Sequence, residues 1–311
     1  MNKFIIFQIN ELKKGGIYLL FIKIIKLSKL VIYVPSFLLA FLFLPLIYSI
    51  RPFIIVRFIK IQSDRIGFLA TSLRIYLCYR DHYAKKQKKR YLDFFCTNNI
   101  ICNYYILSIL KKHLFFVHRF FLEAFIILNS FFSYFFHDLK EHNEMPVITS
   151  DYQGLLNNKD PLVKFTVEEE NIGRKFLKKV GISEKNNFIC LHVRDNAYLK
   201  KIHPKGNWDH HSFRDADIDT YKSAILEIIR RGYFVIIMGV HSNKKISISH
   251  PNIINYADTN LRNDFLDVYL SSKCLFLLSG GCSGFIGLPM HFFNKPHVLT
   301  NYAPFTDVTI G

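Results

Sequence analysis

Between Leu30 and Ile50 the chain runs LVIYVPSFLLAFLFLPLIYSI, 21 residues without a charge. As a helix that run reaches across a ~30 Å hydrocarbon core. Tyr33 and Tyr48 stand near its ends, where amphipathic rings favour a membrane interface. Pro35 and Pro45 would kink a spanning helix and favour a re-entrant or in-plane segment. The alternative is a buried helix in a soluble core. No small-residue cleavage site follows, so a removed signal peptide is not expected.

Next, Phe53–Ile61 reads as a strand, rich in β-branched and aromatic residues. Gln62 to Gly67 is a polar turn. Leu69, Leu73, Tyr76 and Leu77 then share one face of a helix over Phe68–Tyr79. Strand, turn and helix open a βαβ unit. Ala84 to Arg90 is a basic loop, either a solvated turn or a contact for acidic headgroups. Tyr91–Cys96 predicts a second strand. Residues 104–137 form a long aromatic stretch broken by Lys111, Lys112 and Arg119. They predict an amphipathic helical region that faces a membrane or packs on a domain. Residues 138–165 are polar, carry Pro146 and Pro161, and read as a linker.

After Thr166 the alternation is regular. Thr166 and Glu169 form a capping box, and Gly181 closes the helix. Strands are predicted at Phe188–Val193, Tyr233–Met238, Ile253–Asn255, Cys274–Leu278 and His297–Thr300. Helices are predicted from Ile218 to Gly232, at Asp264–Ser272 and at Ser283–Phe293. Near-continuous apolar strands alternating with helices mean α/β structure with parallel sheets covered on both faces. The predicted organisation is a membrane-associated segment over 1–52, a first Rossmann-like domain over 53–165 and a second over 166–311.

Composition narrows this picture. The chain has 311 residues, half of them hydrophobic, and a net charge of +17. The excess is uneven: residues 1–150 carry 21 basic and 8 acidic side chains, residues 151–311 carry 20 and 16. The cations lie beside the most apolar stretch, with Lys13, Lys14, Lys23, Lys26 and Lys29 before it and Arg51, Arg57 and Lys60 after it. That pairing points to an anionic membrane surface and not to nucleic acid. The six cysteines form no CxxC pair and read as reduced, packed thiols of a cytoplasmic domain.

Candidate chemistry sits in the loops after the strands, where parallel sheets bind ligands. His192 and Arg194 share one side of the strand Phe188–Val193, and Arg194 stands at its end. A guanidinium there can grip a diphosphate through paired hydrogen bonds; the alternative is a salt bridge to Asp195 or Asp217. Gly239 follows the next strand and allows close backbone approach to a ligand. Ser279-Gly280-Gly281-Cys282-Ser283-Gly284 then leads into a predicted helix, whose free N–H groups would make an anion site with the Ser283 hydroxyl. The spacing is neither a Walker A loop nor a GxSxG elbow. Nothing in the sequence sets a base beside Cys282 to make it a nucleophile. His203, His210 and His211 match no standard metal-ligand spacing, so no metal is expected. Tyr198 and Trp208, the only tryptophan, border these polar groups. They suit a sugar face, or a loop that packs on itself.

The runs LHVRDNAYLK (191–200), HSFRDADIDTYKSAI (211–225) and RNDFLDVYLSSKCLFLLSGGCSGFIGLPMHFFNKPHVLTNYAP (262–304) resemble a bacterial family of glycosyltransferases tied to surface carbohydrate synthesis. SDRIGFLA (63–70) looks like that family's N-terminal motif, with Phe68 where a His usually stands. The family is similar in pattern to GT-B enzymes, with two Rossmann-like domains. His192-Val193-Arg194 also looks like the HxR element of fucosyltransferase-like enzymes. The resemblance implies hexosyl- or fucosyl-type transfer from a nucleotide-sugar to a surface glycan or lipid-linked acceptor. It places the chain at the bacterial inner membrane, with its globular part in the cytoplasm and no cofactor. It makes Arg194 and Ser283 donor-phosphate contacts and Asp267 a nucleotide or helix-packing residue. The base is drawn from Asp195, His192 and the loop histidines. A rival reading is an inactive or truncated nucleotide- or glycan-binding membrane protein of the same fold, its second domain cut short at the end. It rests on the absence, between Thr300 and Gly311, of the helices with which GT-B folds usually finish.

Overall fold

The computed structural model describes residues 32–83, 90–143, 151, 153–156 and 160–303. Lys13, Lys14, Lys23, Lys26 and Lys29, most of the basic loop 84–90 and much of the 138–165 region lie outside them. Contacts divide the chain into two compact units whose segments interleave along the sequence.

One unit takes its described residues from Met1–Lys60, Lys88–Cys96 and Phe115–Met145. It opens with α1 (Ile32–Ser49), the one helix among the described residues long and apolar enough to cross a membrane. Three strands, β1 (Ile54–Ile61), β2 (Arg90–Thr97) and β3 (Phe115–Phe116), pair in that order, β2 parallel to β3. Leu44 of α1 packs with Val56 and Phe58 of β1 and Cys96 of β2. Leu122 joins them from α4 (Arg119–Phe135). On β1, Arg57 pairs with Asp93 of β2, and the guanidinium also lies over the Tyr91 ring.

The helix-like region predicted over 104–137 is three elements. α3 (Tyr104–Leu110) stops at the turn Lys111–His113, β3 adds to the sheet, and α4 restarts at His118, whose Nδ1 accepts the Phe120 N–H. The consecutive polar residues leave no apolar stripe to carry one helix through the turn.

The second unit comprises Ile61–Gln87, Thr97–Leu114 and Pro146–Gly311. A π-helical turn over Gly67–Ser72 leads into α2 (Leu73–Tyr83), which starts five residues after the predicted helix Phe68–Tyr79 does and ends four residues after it. α5 (Val167–Lys179) carries the predicted capping box: Thr166 Oγ1 accepts from Glu169 N, and Glu169 accepts from Thr166 N. The strands β4 (Phe188–Val193), β5 (Phe234–Ile237), β6 (Ile253–Asn255), β7 (Leu277–Gly280) and β8 (His297–Thr300) form one all-parallel sheet ordered β6-β5-β4-β7-β8. α6 (Ala197–Ile202), α7 (Lys222–Arg230) and α8 (Asp264–Lys273) lie in the connections. Ile189, Leu191, Val235 and Ile237 point from the sheet into a core closed by Ile218, Tyr221 and Ile225. The α/β architecture with parallel strands is as the alternation predicts.

Two local expectations change. Cys274 caps α8 and does not start a strand; β7 begins at Leu277 and runs to Gly280. No α-helix covers Ser283–Phe293. A 3-10 turn (Gly284–Ile286) and a π-helical turn (Leu288–Phe292) take its place. Pro289 lacks the N–H that a regular ladder needs, and Gly284 and Gly287 weaken helix on either side of the first turn.

Candidate functional site

The sheet order reverses between β4 and β7, so the crevice beyond their carboxyl ends is the topological switch point where open α/β sheets bind ligands. Register fixes what meets there. His192 lies opposite Ser279 and Val193 opposite Gly280, and one step on the Arg194 N–H donates to Gly280 O at 2.8 Å. A cavity of about 920 Å³ opens at this point. It is lined by His192, Arg194, Asp195, Tyr198, Gly239, Asp267, Cys282, Ser283 and Gly284. Gly281, the other residue singled out from sequence, is buried behind the wall at φ +78°. A Cβ there would stand 2.2 Å from the Arg214 carbonyl oxygen, so the turn that presents Arg214 fits only against glycine.

The first side of the wall is β4 and its loop. Arg194 is buried and ion-paired through Nη1 with Asp215, while the same nitrogen donates to His211 O at 3.2 Å. The partner is thus Asp215 and neither Asp195 nor Asp217. Asp217 instead meets Lys244 at 2.8 Å. Burial lowers the Arg194 pKa, with Asp215 acting against it. Asp195 accepts two backbone N–H groups, Ala197 at 2.9 Å and Asn243 at 2.6 Å. It ties the β4 loop to the β5 loop, and both its oxygens are engaged. His192 stacks on Phe285 at 4.8 Å, its Nδ1 shut away without a partner. Burial, then the Arg194 charge, pushes its pKa down to about 4, so the ring is neutral at physiological pH.

The opposite side is the Ser279–Gly284 turn. Ser283 Oγ accepts the Phe285 N–H at 3.2 Å and keeps its own hydrogen free to donate. The three-residue turn it starts provides no helix dipole to argue from, which corrects the helix N-terminus expected here. Buried Cys282 Sγ accepts from Arg214 Nη2 at 3.0 Å. Gly284 faces Gly67: a Cβ on either would come within 2.7–2.9 Å of the other's Cα. This glycine pair brings the SDRIG segment against the β7 loop. Arg65 and Phe68 consequently line the same cavity.

Three arginines of the cavity are not among the sequence's candidate site residues. Arg65, Arg214 and Arg262 each carry a buried Nε–H with no hydrogen-bond partner. Arg262 Nη2 pairs with Asp267 at 2.6 Å, and burial raises the Asp267 pKa to about 6. Arg65 and Arg214 lie inside the runs 63–70 and 211–225, and Arg262 opens the run at 262. Their shared wall is a product of the fold and leaves no local spacing.

A neighbouring recess shares Arg65 with the cavity. In it buried Asp64 accepts from Asn98 Nδ2 at 3.1 Å and faces His203 Nε2 at 2.7 Å. Tyr198 donates to the Asp64 carbonyl at 2.7 Å. Trp208 is held within its own loop: its Nε1–H donates to His203 O, His211 lies parallel at 6.2 Å, and Arg65 sits over the ring at 5.2 Å. Among the described residues no group of three or more His, Cys, Asp or Glu is placed to hold a metal ion.

No protein-family model matches this chain, and no curated protein matches it by sequence. Among solved structures it is similar to the E. coli ADP-heptose LPS heptosyltransferase II, with TM-score 0.46 and 12% identity over 79% of this chain and 84% of that one. It is also similar to an E. coli heptosyltransferase solved with ADP, with TM-score 0.36 and 10% identity over 79% and 86% of the two chains. A third is an iron-containing dodecameric glycosyltransferase from enterotoxigenic E. coli, with TM-score 0.35 and 12% identity over 79% and 57%. At these scores the likeness carries no statement about activity.

Proposed function

We propose that this chain is a glycosyltransferase of GT-B type that seats the diphosphate of a nucleotide-sugar at the β4/β7 switch point. One observation carries the reading. Three arginines, each with a buried Nε donor that has no partner, line one cavity at the carboxyl ends of parallel strands. An unpaired buried donor costs ~1–3 kcal/mol, and a ligand rich in oxygens removes that cost. A diphosphate offers such oxygens, and guanidinium forks match them.

In this reading Arg65 and Arg214 receive the charge that develops on the departing diphosphate, and Ser283 donates to a phosphate oxygen. Arg194, already paired with Asp215, and Arg262, already paired with Asp267, add field more than free forks. The base is His203. Asp64 holds its Nε2, which leaves Nδ1 to take a proton. An acceptor hydroxyl loses its proton to that nitrogen as its oxygen bonds to the anomeric carbon. The bond from that carbon to the diphosphate oxygen breaks, and the diphosphate leaves with the electron pair. Asp195 and His192 are poorer bases, the first engaged by two N–H groups and the second stacked and shut in.

The acceptor is a surface glycan or lipid-linked glycan, the transfer is of hexosyl or fucosyl type, and the setting is the bacterial inner membrane. Six free thiols support a cytoplasmic face for the globular part. A second reading, binding without transfer, is favoured by the engagement of Arg194 and Asp195. Thermal unfolding with ADP, GDP, UDP and inorganic pyrophosphate tests the donor site. At least one nucleoside diphosphate should raise Tm more than pyrophosphate does, because binding to the folded state stabilises it by mass action. No shift with any of them overturns the reading. Binding without turnover of the matching nucleotide-sugars supports the second.

A further inference from the structure

We infer that α1 and α4 together form a monotopic seat that lies in the plane of an anionic lipid surface, so that α1 does not cross the bilayer. α1 buries one stripe, Ser36, Ala40 and Leu44, and exposes Leu38, Phe41, Leu42 and Leu46. α4 also leaves an apolar face uncovered: Ile127, Phe131, Phe135 and Tyr134, the last 84% exposed. Two neighbouring helices with such faces in one unit exceed the scattered apolar exposure normal for soluble surfaces.

Attachment decides between spanning and lying flat. α1 is tied to α4 near both ends, by Tyr33 against Phe120 at 5.0 Å and by the Tyr48 hydroxyl on Asn129 at 2.8 Å. Between them Leu44 packs on β1, the strand that carries the Arg57–Asp93 ion pair. If α1 crossed the hydrocarbon, α4 and β1 would follow it in. Arg119, Glu123 and the Arg57–Asp93 pair would then lie in lipid, where charges are expensive. Nor can α4 span alone. Its uncharged stretch, Ala124 to Phe136, has 13 residues, against the ~20 that a crossing needs. Lying flat, both faces sink ~5–10 Å into the headgroup boundary and keep those charges outside. The occupant is anionic lipid and not a second copy, because Lys23, Lys26 and Lys29 precede α1 in the sequence.

The test is flotation of the full chain with vesicles of two parts phosphatidylcholine to one part phosphatidylglycerol. It does not involve the cleft, so its outcome is independent of the donor reading. Two double variants change only exposed positions, Leu42→Asp with Leu46→Asp on α1, and Phe131→Asp with Phe135→Asp on α4. Circular dichroism and cooperative thermal unfolding without ligand check that each is folded. Both pairs should lower vesicle affinity by about tenfold or more, since each removes two buried apolar side chains from lipid. Wild-type flotation of the folded α4 variant overturns the two-helix seat in favour of α1 alone. A wild-type chain that ignores vesicles, including one that forms a dimer which the same substitutions dissolve, overturns the lipid seat altogether.

Discussion

Replacing Arg214 by methionine should separate ligand binding from folding. Its Nη2 donates to Cys282 Sγ at 3.0 Å, its Nε–H is buried without a partner, and its side chain lines the cavity. In the free protein the stranded donor costs ~1–3 kcal/mol, while a bond to sulfur returns less than one to oxygen. Methionine keeps much of the length and volume and brings no donor. The unliganded variant should therefore be as stable as wild type or more so, with a rise in Tm of up to ~3 °C. A diphosphate loses at least one charge-assisted hydrogen bond in the variant. At ~1.5–3 kcal/mol that weakens Kd by about 10- to 150-fold. Calorimetric titration with the best nucleoside diphosphate measures the second effect, and thermal unfolding without ligand the first. Wild-type affinity would refute the assignment of Arg214 to the anion site. A loss of several kcal/mol in the unliganded protein would refute the claim that its donor is stranded, and would make Arg214 a structural residue.

Two further outcomes follow from the same geometry. His192 titrates at about 4 in the fold against 6.5 when free, so the unfolded chain binds more protons between those values. Its contribution is present above pH 6.5 and is lost as pH falls toward 4, by at most ~3 kcal/mol. Buried His291 shifts in the same direction to about 4. Asp267, raised from 3.8 to about 6, opposes them over part of the window by favouring the fold at low pH. Tm measured across this range should fall on acidification, and His192→Gln should flatten the slope; an unchanged slope removes His192 as its source. Gly284→Ala drives a Cβ to 2.7 Å from the Gly67 Cα, backbone against backbone. Overpacking there should cost ~1–3 kcal/mol in urea unfolding and weaken diphosphate binding; a neutral result would show that the two loops part freely.

What the amino-acid order determined by itself is whatever neighbours in sequence decide. FICLHV is a buried strand because six apolar or half-apolar residues follow one another, and His297–Thr300 and Ile253–Asn255 fall where that pattern puts them. The Thr166–Glu169 box caps α5 because its partners are three residues apart. His192, Arg194 and Ser283 reach one cavity because loops after parallel strands share an end of the sheet.

Tertiary structure decided the rest, because the physics there is long-range. No spacing tells that Arg194 pairs with Asp215, which lies 21 residues on and is delivered by a turn packed against Gly281. None tells that Arg65 and Arg214, about 150 residues apart, face one space, since this depends on Gly67 meeting Gly284. The expected helix at Ser283 gives way to a 3-10 turn, which holds Gly284 against Gly67, and a π-helical turn. An uncharged run shows only that Leu30–Ile50 favours an apolar setting. Its attachment to α4 and β1 determines whether it can leave the protein to cross a bilayer, and charges beyond the run set the cost.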